Sequence, residues 1–189
     1  MRMEEHEESM MLEKNGRQGT SIEFVKLDFG DMPGVSEMSG LATRIVREHY
    51  DPIIGKEQND YMIALFQSEK AISRQLEEGY QYYFVRALGR NIGFLAFYPR
   101  GNAMYLSKLY LLKEERGKGY SRLMVGFVIG KAKDASLPTL ELNVNKNNGS
   151  IRVYEKLGFK VARSEKNDIG NGYFMDDYVY ALDTKDWQP

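Results

Sequence analysis

Three β-rich runs joined by two very short turns constrain the fold of this chain more than any other part of its sequence. The runs cover 81–88, 92–98 and 103–112, and the turns between them contain Gly89 and Gly101. Short glycine-bearing turns join strands that run antiparallel, because they leave no length for a crossover. The sequence therefore predicts an antiparallel meander. Aromatic residues are frequent at the beginning of the first run and directly before it. They are expected to alternate between a core face and a solvent face: Tyr80, Tyr82, Tyr83 and Phe84.

After the meander the pattern changes to helix, strand, helix, strand, strand. Spacing of apolar residues predicts a helix over 117–135, a strand over 139–145, a helix over 150–157, and strands over 160–163 and 173–182. The last two strands are joined by a turn-rich segment at 167–172. Because a helix links strands 103–112 and 139–145, these two strands are expected to run parallel.

Before the meander the sequence predicts one strand and three helices. The strand covers 21–27, and the helices cover about 33–50, 59–66 and 69–78. The predicted fold class is therefore α+β, with a mixed, mostly antiparallel sheet of about six or seven strands flanked by about four or five helices. Residues 1–20 are expected to be a mobile leader, 21–183 the folded domain, and 184–189 a C-terminal tail that includes Trp187.

Composition narrows the classes of function. The chain has no cysteine, which excludes disulfides and a cysteine nucleophile, and its two histidines are too far apart to suggest a metal site. Lys and Arg total 26 against 27 Asp and Glu, a balance that argues against a nucleic-acid partner. No apolar run approaches the roughly 20 residues that span a bilayer, and no secretory signal is visible. We expect a cytoplasmic protein without a membrane partner, and the oligomeric state, including a homodimer, stays open.

The segment from Arg116 to Ser121 predicts an anion-binding loop. A strand ends, a charged turn follows, and Gly117 and Gly119 open a helix whose first turn has unpaired N–H groups and partial positive charge. Without side chains at the two glycines, a phosphate can approach those N–H groups, and Arg116 and Lys118 add charge. On the loop alone, a plain glycine turn with basic residues facing water remains an alternative.

Two motifs in this part of the chain resemble those of the GNAT acetyltransferases. Arg116-Gly-Lys-Gly-Tyr-Ser121 is similar to the family's Gln/Arg-x-x-Gly-x-Gly/Ala coenzyme A loop, with serine in the last position. The block from Asn147 to Phe159 resembles the family's Asn-x-x-Ala-x-x-x-Tyr-x-x-x-Gly-Phe segment, with Ser150 at the alanine position. The resemblance covers roughly residues 21–182 and implies a GNAT fold with acetyl-CoA as co-substrate.

The resemblance also implies which residues bind the co-substrate. Backbone N–H groups of the loop would hold the pyrophosphate: Arg116, Gly117, Lys118, Gly119, Tyr120 and Ser121. The strand through Leu109, Tyr110 and Leu111 would pair with the pantetheine arm as an added strand does. Asn147 matches the asparagine that hydrogen-bonds this arm, but a helix N-cap is an equal alternative, for which Asn148 competes. Ser150 belongs to the same binding motif.

Tyr154 matches the family's tyrosine general acid, which protonates the departing thiolate, although a core tyrosine is the alternative. The general base is open, because the stretch from Tyr105 to Leu109 lacks the glutamate that many relatives carry. Ser107 could orient a water instead, and the acidic candidates are Glu141, Asp176 and Asp177.

The implied activity is transfer of acetyl from acetyl-CoA to a primary amine of a small molecule by direct attack. The acceptor would be polyamine-like, an amino acid or another amine, and the segment 50–79 is loosely similar to diamine and spermidine acetyltransferases. Three alternatives are a protein or peptide N-acetyltransferase, a non-catalytic coenzyme A sensor of the same fold, and a plain structural domain.

Overall fold

The computed structural model describes residues 21–188, so the leader predicted for 1–20 lies outside the described part. One seven-stranded sheet, in the order β1-β2-β3-β4-β5-β7-β6, forms its centre. The strands are β1 (Glu23–Leu27), β2 (Gln81–Ala87), β3 (Arg90–Arg100), β4 (Ala103–Leu111), β5 (Thr139–Asn145), β6 (Lys160–Gly170) and β7 (Tyr173–Asp183). The helices are α1 (Met32–Ile54), α2 (Lys56–Phe66), α3 (Glu69–Glu77), α4 (Tyr120–Asp134) and α5 (Ile151–Lys156). The predicted α+β fold is confirmed.

Strands β4 and β5 form the parallel pair of this otherwise antiparallel sheet, as predicted. They pair only from Ala103–Thr139 to Tyr105–Glu141. Two residues beyond Tyr105, Ser107 is the extra residue of a bulge, because its neighbours pair with consecutive residues of β3. A bulge bends its strand. The result is a gap between β4 beyond Tyr105 and β5 beyond Glu141, which we call the split.

Helices cover both faces of the sheet. Phe127 of α4 stacks on Phe24 in one core, and Met38 of α1 contributes to a second core with Tyr82. The prediction that the aromatic residues at 82–84 alternate between core and solvent was wrong. They alternate between two cores, because the sheet is covered on both sides, and all three are at most 5% exposed.

The ends of α1 and β6 differ most from the predicted bounds. Helix α1 continues to Ile54, past Pro52 in its last turn, where the proline ring leaves the carbonyl four residues earlier without its helical N–H donor. Strand β6 continues through most of the segment predicted as a turn. The β6–β7 turn is only Asn171-Gly172, and both residues have positive φ (53° and 75°), as a tight two-residue hairpin requires.

The segment 184–188, the described part of the predicted tail, packs against α4. The indole of Trp187 lies 3.5 Å from where a Cβ on Gly126 would stand, and the guanidinium of Arg122 lies 5.1 Å from its ring centre. None of the helices within residues 21–188 is long and apolar enough to cross a bilayer.

Candidate active site

Two cavities meet at the split. The loop cavity, about 440 Å³, lies between the loop before α4, the end of β4, β5 and α5. The tyrosine cavity, about 280 Å³, lies between helices α1, α2 and α3 and strands β3, β4, β5 and β7. Four residues line both cavities: Tyr50, Ser107, Tyr110 and Asn143. The two cavities therefore share a border beside the split.

The loop before α4 has the backbone that its glycines predict. Gly117 and Gly119 have φ of 78° and 86°, values that a residue with a side chain rarely adopts, and the space above both is open. Gly119 precedes α4 without a side-chain cap, so the first-turn N–H groups are unsatisfied by a capping side chain. This geometry suits a phosphate group.

Nine of the twelve predicted site residues line the loop cavity: Leu109, Tyr110, Leu111, Arg116, Gly117, Gly119, Ser121, Ser150 and Tyr154. The other three lie elsewhere. The ammonium of Lys118 binds the carboxylate of Glu115 at 2.8 Å, Tyr120 is buried in the core, and Asn147 is exposed.

Arg116 connects the loop to β4 and α1. Its Nε donates to the carbonyl of Leu111 at 3.1 Å, and its Nη1 lies 3.3 Å from Nδ1 of His49. Because a guanidinium only donates, Nδ1 of His49 must accept, which leaves the Nε2 proton to donate to Oδ1 of Asn148 at 3.1 Å. Burial, together with the charge of Arg116, lowers the pKa of His49. The imidazole is thus a neutral link between α1 and two loops.

Asn148, rather than Asn147, lines the cavity, and it is only 5% exposed. Its Oδ1 also accepts from the backbone N and hydroxyl of Ser150 at 3.0 and 2.6 Å, and its Nδ2 donates to Tyr50 Oη at 3.2 Å. The N-cap of α5 is Ser150, so the capping role considered for Asn147 falls on neither asparagine.

Tyr154 lies on α5, one turn after Ser150, with its ring 5.8 Å from that of Phe159. Burial raises its pKa above the ordinary value, and the nearby Tyr50 adds to the effect. The phenol therefore keeps its proton at neutral pH and is available as a donor.

Among the four candidates for the base, Ser107 and Asp177 line the cavities. Ser107 borders both, whereas Asp177, 2% exposed, borders the tyrosine cavity. Burial raises the pKa of Asp177, and a hydrogen bond from the amide of Asn143 opposes this only in part.

The other two acids are engaged in ion pairs and line neither cavity. Burial raises the pKa of Glu141, but hydrogen bonds from Arg163 and Arg100 outweigh this effect, so the pKa is lowered. Asp176 pairs with Lys146.

No binding or catalytic role was predicted from the sequence for several polar residues that border the cavities, among them His49, Tyr50, Lys108 and Asn148. One signal was visible, since Lys108 is a charged residue within an apolar strand. The others occur at a helix end and in a turn, where such residue types are ordinary.

Several solved acetyltransferases share this fold at low sequence identity. The PaiA N-acetyltransferase of Thermoplasma acidophilum, solved with coenzyme A, has a TM-score of 0.71 and 20% identity over 86% of this chain and 98% of its own. The ribosomal-protein-S18-alanine N-acetyltransferase of Escherichia coli has a TM-score of 0.60 and 19% identity, over 86% of this chain and 94% of its own. A GNAT acetyltransferase of Elizabethkingia anophelis with acetyl-CoA bound has a TM-score of 0.57 and 17% identity, over 86% of this chain and 97% of its own.

No curated protein sequence matches the chain significantly. The sequence profile described as the acetyltransferase (GNAT) family does match, over residues 43–159, which is more than half of the chain and includes both recognised motifs. The predicted family is thereby confirmed. The chain belongs to the acetyltransferase (GNAT) family, which makes it an acyltransferase with acetyl-CoA as its co-substrate.

Proposed function

We propose that the protein transfers the acetyl group of acetyl-CoA to a primary amine of a small molecule by direct attack through the split. The observation that carries the proposal is the meeting of the two cavities at Tyr50, Ser107, Tyr110 and Asn143. The loop cavity would hold the coenzyme and the tyrosine cavity the acceptor, so that thioester and amine meet between β4 and β5.

The loop cavity offers two complementary surfaces for the coenzyme. The space where side chains would stand at Gly117 and Gly119 is open at a helix N-terminus, so a pyrophosphate can approach the N–H groups between Arg116 and Ser121. Beyond Tyr105, β4 no longer pairs with β5 within the described residues, so the backbone edge through Leu109–Leu111 can accept the pantetheine arm as an added strand. Asn148 is the better placed of the two asparagines to contact the arm, because it borders the cavity.

The reaction needs one base and one acid. The acceptor ammonium gives a proton to Asp177 through a water held at Ser107, and the neutral nitrogen then forms a C–N bond to the thioester carbon. The oxyanion of the tetrahedral intermediate accepts a hydrogen bond from a backbone N–H of β4 near Leu111. As the C–S bond breaks, the thiolate takes the phenol proton of Tyr154. The nitrogen loses its second proton to solvent, Asp177 releases the first proton to solvent, and Tyr154 is reprotonated from there.

The size of the tyrosine cavity supports a small acceptor. Its volume of about 280 Å³ is close to the lower end of the roughly 300–1,000 Å³ found for small-molecule pockets. The side chains that enclose it come from three helices and four strands. Such a site is suited to an individual amine and less to a peptide, which needs an open groove.

Thiol release from acetyl-CoA with panels of small amines and of peptides tests the proposal. We expect small amines to be acetylated and Tyr154→Phe to lower kcat about 10²–10⁴-fold, because the leaving thiolate loses its proton donor. The calorimetric Kd for coenzyme A should stay within about twofold. Tyr173→Phe, which changes a tyrosine outside both cavities, is the matched control.

Coenzyme binding without thiol release for any amine would instead support a non-catalytic sensor. Preference for peptides over small amines would contradict the small-molecule acceptor, and full activity of Tyr154→Phe would remove the phenol from the acid role.

A further inference from the structure

Lys108 is a buried cation that the proposed reaction does not use. It lies on β4 immediately after the bulge residue Ser107, is 5% exposed and borders the tyrosine cavity. A lysine this buried normally has an ionic partner, because an unpaired ammonium in a protein interior is costly. Within residues 21–188 its ammonium makes no hydrogen bond or ion pair, and its one aromatic contact is with the ring of Tyr82, whose centre lies 5.8 Å away.

A buried carboxyl, Asp177, borders the same cavity from β7, across the split. Lys108 stands three residues beyond Tyr105, and Asp177 pairs with Asn145, four residues beyond Glu141. Because Tyr105 and Glu141 are the last pair before the strands part, both groups lie beyond that pair, on opposite sides of the gap, and line the same cavity.

The two groups do not neutralise each other. The carboxyl of Asp177 is hydrogen-bonded by the amide of Asn143, and the ammonium of Lys108 is not among the charges that perturb it. Burial alone lowers the pKa of Lys108 to about 7. The other cation at this cavity, Arg100, is already paired with Glu141 at 2.8 Å. The cavity therefore holds a buried carboxyl and a buried amine that do not pair with each other.

We propose that the acceptor is an amino carboxylate, whose carboxylate binds the ammonium of Lys108 while its amine faces Asp177 at the split. This rests on the proposed function and narrows its acceptor class. The bound carboxylate supplies the ionic partner that Lys108 lacks and holds it protonated. A diamine is disfavoured because its second ammonium would face Lys108 instead of an acid.

Matched acceptors separate carboxylate recognition from general amine binding. 4-Aminobutyrate, butylamine and 1,4-diaminobutane share one chain length, and phenylalanine with phenethylamine provides an aromatic pair. We expect the highest kcat/KM for the carboxylated member of each set. In Lys108→Met the ratio of kcat/KM for 4-aminobutyrate to that for butylamine should fall about 10–100-fold, as expected for loss of a charge-assisted hydrogen bond.

The control is Lys133→Met, which removes an exposed lysine from the last turn of α4 and should leave the ratio unchanged. Calorimetric titration of 4-aminobutyrate or phenylalanine into the protein saturated with coenzyme A gives a readout without turnover, and Lys108→Met should weaken the binding about 10–100-fold. Coenzyme A affinity reports that each variant is folded.

Each outcome decides the inference. Thiol release without carboxylate preference would overturn it and leave the proposed function intact. An equal loss for all acceptors in Lys108→Met would assign Lys108 to proton transfer and also overturn it. No thiol release with any acceptor would overturn the proposed function and this inference together.

Discussion

Tyr154, Asp177 and Lys108 share one property at the residue scale, since burial is the largest influence on the pKa of each. Burial favours the neutral form of every ionisable group, so it raises the pKa of an acid and lowers that of an amine. The phenol remains a donor, the carboxyl moves towards the pH at which it can accept a proton, and the amine becomes easy to neutralise. An anionic ligand at Lys108 would reverse the last of these effects.

Substitution of Asp177 tests the proton acceptor. The base must be ionised, and burial raises its pKa, so kcat/KM should fall as the pH drops through that raised value. Asp177→Asn should lower kcat/KM about 10²–10⁴-fold at neutral pH and remove this acid limb from the pH–rate profile of thiol release.

Asp176→Asn is the matched control for this experiment, because the neighbouring side chain pairs with Lys146 outside both cavities. It should retain both the rate and the acid limb. An unaltered limb in Asp177→Asn would assign the base to another group.

At the scale of elements, the loop before α4 and the bulge in β4 create the two halves of the site. The loop leaves room for an anion because Gly117 and Gly119 adopt positive φ and the space where side chains would stand is open. The bulge at Ser107 parts β4 from β5 and leaves a free strand edge beside that loop. The link from Arg116 through His49 to Asn148 holds α1 against both borders of the loop cavity.

A bulky residue in the loop should block the coenzyme. Gly119→Trp places a side chain in the open space beneath the proposed phosphate and forces an unfavourable φ of 86°. We expect calorimetric coenzyme A binding to fall at least about 100-fold, because a pyrophosphate could no longer reach the N–H groups.

Gly130→Trp, at an exposed and equally open position of α4, should bind coenzyme A normally. If Gly119→Trp bound the coenzyme as the unaltered protein does, the phosphate would not lie on this loop.

For the whole molecule, a sheet covered on both faces would normally keep its two sides apart. The two cavities share a border at the split, and in the proposed function coenzyme and acceptor occupy one cavity each and react there. The cost of this arrangement is the burial of polar groups next to the gap, among them Lys108 and Asp177.

The stability of the molecule should record that cost. Since burial lowers the pKa of folded Lys108 to about 7, the unfolded chain binds more protons between pH 7 and about 10.4, where an exposed lysine titrates. The destabilisation is full below pH 7 and disappears as the pH rises through this window.

Lys108→Met should therefore raise the free energy of unfolding by about 1–4 kcal/mol at pH 7 and by little at pH 10.5, measured by urea denaturation without acceptor. Lys133→Met should show no such pH-dependent gain. A constant difference between Lys108→Met and the unaltered protein at both pH values would show that the lysine is not desolvated.

The sequence by itself determined the order of strands and helices, the parallel pair, the glycine loop and the family, because each depends on the spacing of neighbouring residues. The position of the two-residue β6–β7 turn could not be predicted from the sequence, since Asn171-Gly172 lies within a longer run of turn-forming residues. Only the tertiary structure brought His49 to Asn148, and Lys108 and Asp177 to one cavity. These residues come from distant segments, and their encounter depends on the bulge at Ser107 and on the register between strands, neither of which has a signature in local spacing.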